Sequence, residues 1–179
     1  MHPRPNQSGF TLTEVLIALV IFTLAAGFAV PAFGNLIARQ RLTASANEAL
    51  SVLNYARTEA VRQRARVVVC PSRNGSACDG GSNWNQAILF TDTNRNGTRD
   101  GDEPVERRWD FSNTDIQVTQ SEGGSPSRVL VGGTGLAIPS SGTAPTELRF
   151  CSARVDNLDI TVVAGVGGPR TQRGDGDDC

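Results

Sequence analysis

The chain has 179 residues, a formal net charge of −1, 20% charged residues and 39% apolar residues. This length favours a single domain, and the near-zero charge excludes a bulk electrostatic attraction to nucleic acid. All 17 basic residues are arginine, the only histidine is His2, and 19 glycines with 9 prolines call for many turns.

From Val15 to Phe33 there is no charged side chain. That run is close to the ~20 residues with which a helix crosses the hydrocarbon core of a bilayer. A conventional signal peptide would carry its small-residue cut site after the apolar run. Here Ser8-Gly9 come before it, at the end of the polar "MHPRPNQSG". A cut after Gly9 leaves the apolar segment on the mature chain and a new amine on Phe10. Glu14 stands one residue before the run and one helical turn beyond Phe10. A carboxylate is costly at the bilayer centre and less so at its edge, and a helix N-terminus favours an anion. The Phe10 amine, its own or a neighbour's, would neutralise it. On spacing alone Glu14 reads equally as an interfacial residue flanking an ordinary transmembrane helix.

The stretch "GFTLTEVLIALVIFTLAAGFAVPAF" resembles the class III signal sequences of type IV prepilins and pseudopilins. Gly9 matches the residue before the cut, Phe10 the first mature residue, Glu14 the fifth, and Pro31 the helix kink of that family. The resemblance implies cleavage between Gly9 and Phe10 and N-methylation of Phe10 by a prepilin peptidase. It also implies that Glu14 pairs with the amine of an adjacent subunit during assembly.

Beyond the apolar run the helical pattern continues. Leu42, Ala46, Ala49, Leu53, Ala56 and Ala60 recur at i, i+3/i+4, the spacing of an amphipathic helix whose apolar stripe faces a core. Arg39, Arg41, Arg57, Arg62 and Arg64 fall mainly off that stripe and read as a solvated face. A helix over residues 10–64 would be about 80 Å long at 1.5 Å per residue, and Pro31 would bend it. The period then changes. Strands are expected at 66–70, 86–92, 104–111, 116–119, 127–131, 147–151 and 158–165, separated by Gly-, Ser- and Pro-rich links. No helical pattern interrupts them, so an antiparallel sheet or pair of sheets is expected.

"VVVCPSRNGSAC", "NWNQAILFTDTNRNGTRDGDEPVERRW" and "GLAIPSSGTAPTELRFC" resemble the GspH/FimT/FimU group of minor pilins and pseudopilins. The fold this implies is α+β, the type IV pilin fold. In it a long N-terminal helix, transmembrane in its first half and amphipathic in its second, packs on an antiparallel globular domain. Its parts are a cleaved leader at 1–9, a transmembrane and assembly helix at 10–33, its amphipathic continuation at 34–65, and a disulfide-bonded β domain at 66–179.

Cys70, Cys78, Cys151 and Cys179 lack metal-ligand spacing and point to two disulfides in an oxidising compartment. Three connectivities are open. The preferred one joins Cys70 to Cys78 across a short loop and Cys151 to Cys179, tying down the C-terminus. Residues 92–103 satisfy the EF-hand loop formula, with Asp92, Asn94, Asn96, Thr98, Asp100 and Glu103 at the ligand positions and Gly97 sixth. Strands in place of helices flank the loop, so an Asx- and Gly-rich turn is the competing reading. No catalytic constellation or Cys-x-x-Cys element is present, and neither enzyme activity nor a cofactor is expected.

In the tail, Arg170 and Arg173 offer a loose match to the Gly-Arg-x-Arg element with which some FimT-type proteins bind DNA. A proline intrudes, and the aspartates that follow oppose phosphate binding; nucleic acid is not an expected partner. The resemblance implies a minor pilin of a type IV pilus that primes assembly or sits at the fibre tip. The alternatives are a GspH-like pseudopilin of a type II secretion system and a FimT-like DNA-uptake pilin. The expected partners are other minor pilins, the major pilin, the prepilin peptidase and the inner-membrane assembly platform. The expected location is the bacterial inner membrane, single-pass with a periplasmic globular domain, and then the fibre.

Overall fold

The computed structural model describes residues 10–79, 81–111, 116–122, 127–138, 146–152, 154–155, 159–165 and 167–174, with backbone alone at 28–32 and 121–122. Gly9 and Cys179 lie outside these residues. The chain divides into two compact units, Met1–Ile37 and Ala38–Cys179.

One helix, α1 (Leu12–Gln63), starts in the first unit and ends in the second, and its backbone is continuous through position 31. Within the first unit its large apolar side chains are exposed on every side, as at Leu19, Val20, Ile21 and Phe22. Among the described residues no helix is long and apolar enough to cross a membrane; the described side chains of the apolar run stop at Gly27 and resume at Phe33.

In the second unit α1 is amphipathic. The expected stripe of Leu42, Ala46, Ala49, Leu53, Ala56 and Ala60 is buried throughout, joined by Ala38 and Val52. The alanines keep that face flat, so that strands can lie close against it. The helix ends where Arg64 turns to a φ of 51° and the Ala65 N–H donates back to Ala60 O at 3.3 Å, a left-handed C-terminal stop. The β-branched run that follows favours extended chain.

Among the described residues nine strands follow: β1 (Arg66–Pro71), β2 (Gln86–Asp92), β3 (Val105–Asp110), β4 (Ile116–Glu122), β5 (Val129–Val131), β6 (Ala137–Ile138), β7 (Thr146–Ser152), β8 (Asp159–Gly165) and β9 (Gly168–Arg173). They form two antiparallel sheets, ordered β3-β2-β1-β5-β6 and β4-β7-β8-β9. Two strands were not legible in the sequence. β6 is only two residues long, and β9, "GPRTQR", has no apolar alternation. β9 exists because a Gly-rich turn returns it onto β8, with Gly165 opposite Gly168.

The inner faces of both sheets and the α1 stripe make one core, with Trp84, Leu89, Val118, Leu148, Phe150 and Val162 among its fully buried members. The first sheet is also covered on its outer face. Val68, Cys70, Ile88, Phe90 and Leu130 form a second cluster there, with Cys78 and Val105 packed against it. Burial on both faces explains why β1 and β2 read as continuous apolar runs instead of alternating.

Segment 82–85 stitches the two sheets together. Trp84 N–H donates to Val118 O at 2.8 Å, Gln120 N–H donates to Ser82 O at 3.0 Å, and Val118 N–H donates to Asn85 Oδ1 at 3.0 Å.

Candidate functional site

At the start of α1, Thr11 and Glu14 cap the helix reciprocally. The Thr11 N–H donates to Glu14 Oε2 at 3.0 Å, and the Glu14 N–H donates to Thr11 Oγ1 at 3.3 Å. The Thr11 hydroxyl adds a third bond, to Glu14 Oε2 at 3.0 Å. This is a capping box, in which two backbone donors left over by helix geometry are satisfied by side chains three residues apart. The apolar positions that follow recur on one face, so that Phe10, Glu14, Val15, Ala18, Leu19 and Phe22 line a shared shallow groove. Phe10 is 88% exposed and Phe22 69%.

In the second unit, Asp92 closes β2 and is 1% exposed, while Glu103, just before β3, is 4% exposed. Asp92 Oδ2 accepts the Gly97 N–H at 2.9 Å and lies 3.7 Å from Arg66 Nη1. Glu103 accepts the Thr93 N–H at 2.7 Å and the Asp100 N–H at 3.1 Å, which folds the end of the loop back on its start. Asn94 Nδ2 and Asn96 Nδ2 both donate to Asp100 Oδ2, at 2.5 and 2.8 Å. Gly97 has a φ of 74°, in the left-handed region that favours glycine, and a Cβ there would displace the Arg128 guanidinium. Among the described residues no group of three or more His, Cys, Asp or Glu side chains is gathered as a metal cage.

Where α1 meets the first sheet, Glu59 is held by Arg62 and Gln63 of its own helix, with Arg62 Nε at 2.9 Å from Oε2. Gln63 Nε2 also donates to Glu106 Oε1 at 3.0 Å, and Thr91 Oγ1 donates to Gln63 Oε1 at 2.9 Å. The Arg62 hydrogen bond first, and the Gln63 amide second, hold the Glu59 carboxyl down at about 2.

The remaining sites separate. Cys70 and Cys78 are disulfide-bonded, as expected. Cys151 is also in a disulfide, while its expected partner Cys179 lies outside the described residues. Arg170 and Arg173 both lie exposed on β9. Three positions apart on a strand of period two, they point to opposite faces and do not form one patch.

The family described as "Type II transport protein GspH" matches residues 45–168. The chain belongs to this family. Ahead of the GspH region, the "Prokaryotic N-terminal methylation motif" matches residues 4–30, a range that contains Gly9, Phe10, Glu14 and the capping box. Together the two matches set the chain among the minor pilins and pseudopilins. Its fold is similar to that of the type IV minor pilin FimU of Pseudomonas aeruginosa, at 19% identity and a TM-score of 0.54, covering 75% of this chain and 88% of that one. It is also similar to the minor pseudopilin EpsH from the Type 2 Secretion System of Vibrio cholerae, at 13% identity and a TM-score of 0.50, covering 74% and 96%. No curated protein matches in sequence. None of the matched proteins is described as an enzyme. For this GspH-family chain, the residue that sequence reasoning missed is Thr11. Its signal was present: Thr-x-x-Glu directly before an apolar helical run is the capping-box pattern.

Proposed function

We propose that this chain is a minor pilin of a type IV pilus, cut after Gly9, methylated at Phe10 and held in the inner membrane by α1 until it enters the fibre. The observation that carries this reading is the first unit's helix, apolar and exposed on all sides with Glu14 at its mouth. Such a helix is stable only when lipid or other apolar helices surround it. The two environments succeed one another: lipid before assembly, and the helices of neighbouring subunits after it. The capping bonds to Thr11 use Oε2, and the carboxylate still carries a charge for the Phe10 amine of a neighbour. The β domain, with its disulfides, then stands outside the helical bundle, in contact with other minor pilins and the major pilin. The role suggested is priming assembly or occupying the fibre tip.

The test is mass spectrometry of sheared fibres and of membranes. The mature chain should begin at a methylated Phe10 and be present in fibres, and Gly9→Leu should leave the uncut precursor in the membrane. Glu14→Ala removes both cap and charge, whereas Glu14→Gln keeps the cap and removes the charge. Both variants should be inserted and processed yet be missing from fibres. If Glu14→Gln enters fibres like the parent chain, Glu14 serves only as a cap and the pairing is refuted. The likeness to EpsH supports a second reading, a pseudopilin of a type II secretion system. Deleting the gene distinguishes them: loss of pili supports the first, and loss of exoprotein secretion with pili intact supports the second.

A further inference from the structure

We propose that the β2–β3 loop, Asp92 to Glu103, is a calcium-binding site. This does not depend on the choice between pilus and secretion system. Oxygen-bearing residues occupy the first, third, fifth, seventh, ninth and twelfth loop positions: Asp92, Asn94, Asn96, Thr98, Asp100 and Glu103. The observation that points to a ligand is Asp92. Its side chain is fully buried, yet its Oδ1 has no hydrogen-bond partner. The other oxygen reaches across the loop to the Gly97 N–H, so the carboxylate is set inside the loop and not turned away from it. A buried carboxylate oxygen without a donor is costly, and a cation in the loop removes that cost.

Three of the other loop donors stand together. The side chains of Asn94 and Asn96 already converge with that of Asp100. Asn94 Oδ1 accepts the Asn96 N–H at 3.0 Å and Asn96 Oδ1 accepts the Thr98 N–H at 2.7 Å. Each amide oxygen keeps a second lone pair for a metal. Binding requires Asp100 to turn from the two amide Nδ2 groups toward the cation.

The donor chemistry selects the metal. Carboxylate, amide and carbonyl oxygens, with no nitrogen or sulfur ligand in the loop, suit a hard cation rather than zinc or copper. The irregular, flexible set suits calcium better than magnesium, which demands near-octahedral geometry. Arg66 beside Asp92 lowers the net negative charge of the site, and the required turn of Asp100 costs free energy. Both place the affinity in the weak range of extracellular calcium modules, about 10⁻⁴–10⁻³ M. Strands flank the loop, so calcium would not open a helix pair. It would fix the turn that Arg99 ties to the disulfide loop through Ser76 O at 2.9 Å.

The experiment is calorimetric titration of the mature full-length chain in detergent with calcium chloride or magnesium chloride. One saturable calcium site in that range is expected, with magnesium at least tenfold weaker. Asn96→Ala and Asp100→Asn alter side chains outside the core and should weaken calcium at least tenfold while the calcium-free chain keeps its far-UV circular dichroism. No saturation up to about 10 mM calcium, ten times the weak end of the range for such modules, overturns the proposal. So does equal binding of magnesium, or unchanged binding by both variants.

Discussion

Replacing Trp84 tests whether segment 82–85 holds the two sheets together. Trp84 is fully buried in the main core, its Nε1–H donates to Gln120 Oε1 at 3.3 Å, and its backbone N–H is bonded to Val118 of β4. Trp84→Ala removes roughly 200 Å² of buried ring, or about 4–5 kcal/mol at ~25 cal/mol per Å². That agrees with the ~3–5 kcal/mol typical of large aromatic truncations. Trp84→Phe keeps most of the area and removes the indole hydrogen bond to Gln120 Oε1, and should cost about 0.5–1.5 kcal/mol. With an m-value of about 2 kcal/mol per molar urea, the midpoint should fall by about 2 M for alanine and by less than about 1 M for phenylalanine. The assay is urea unfolding of the unit Ala38–Cys179, followed by far-UV circular dichroism. A stability of about 5–15 kcal/mol leaves the alanine variant marginal but measurable. If Trp84→Ala costs under about 1 kcal/mol, the stitch does not couple the sheets.

The Glu59 carboxyl is at about 2 in the folded chain against 4.5 unfolded, so its stabilisation is complete above about pH 4.5 and lost as pH falls toward 2. The whole shift would be worth about 3 kcal/mol; Arg62 is 67% exposed, and screening reduces this to about 1 kcal/mol. Urea midpoints measured from pH 6 down to pH 2.5 should fall more for the parent than for Glu59→Gln, and parallel curves would contradict the assignment. Removing the Cys70–Cys78 bridge by a double alanine substitution opens a short loop, with a sequence separation of 8. It should cost about 2.5 kcal/mol in the chain-entropy model, read as a urea-midpoint drop of about 1 M; no drop would mean that packing alone holds the loop.

Local chemistry made much of this molecule legible in one dimension. The stripe from Leu42 to Ala60 follows the helical period, and its residues are the ones buried. The β-branched and apolar run Val67–Val69 and the block Ala87–Phe90 became strands in antiparallel register with each other. Thr11 and Glu14 cap a helix because their spacing matches a helical turn, a relation contained within four residues. Contacts between distant segments were a different matter. β9 is polar and would be a loop by its own preferences; pairing with β8 supplies the backbone bonds that make it a strand, and that same strand sends Arg170 and Arg173 to opposite faces. Nothing in "NWNQ" states that Trp84 would lie between two sheets, since Val118 and Gln120 are more than thirty residues away. The formula of the Asp92–Glu103 loop is written in the sequence, but the buried, unpartnered oxygen of Asp92 is not. Tertiary packing alone decided that, by burying Asp92 opposite Arg66 of β1 and beside the Gly97 N–H while offering one of its two oxygens no donor.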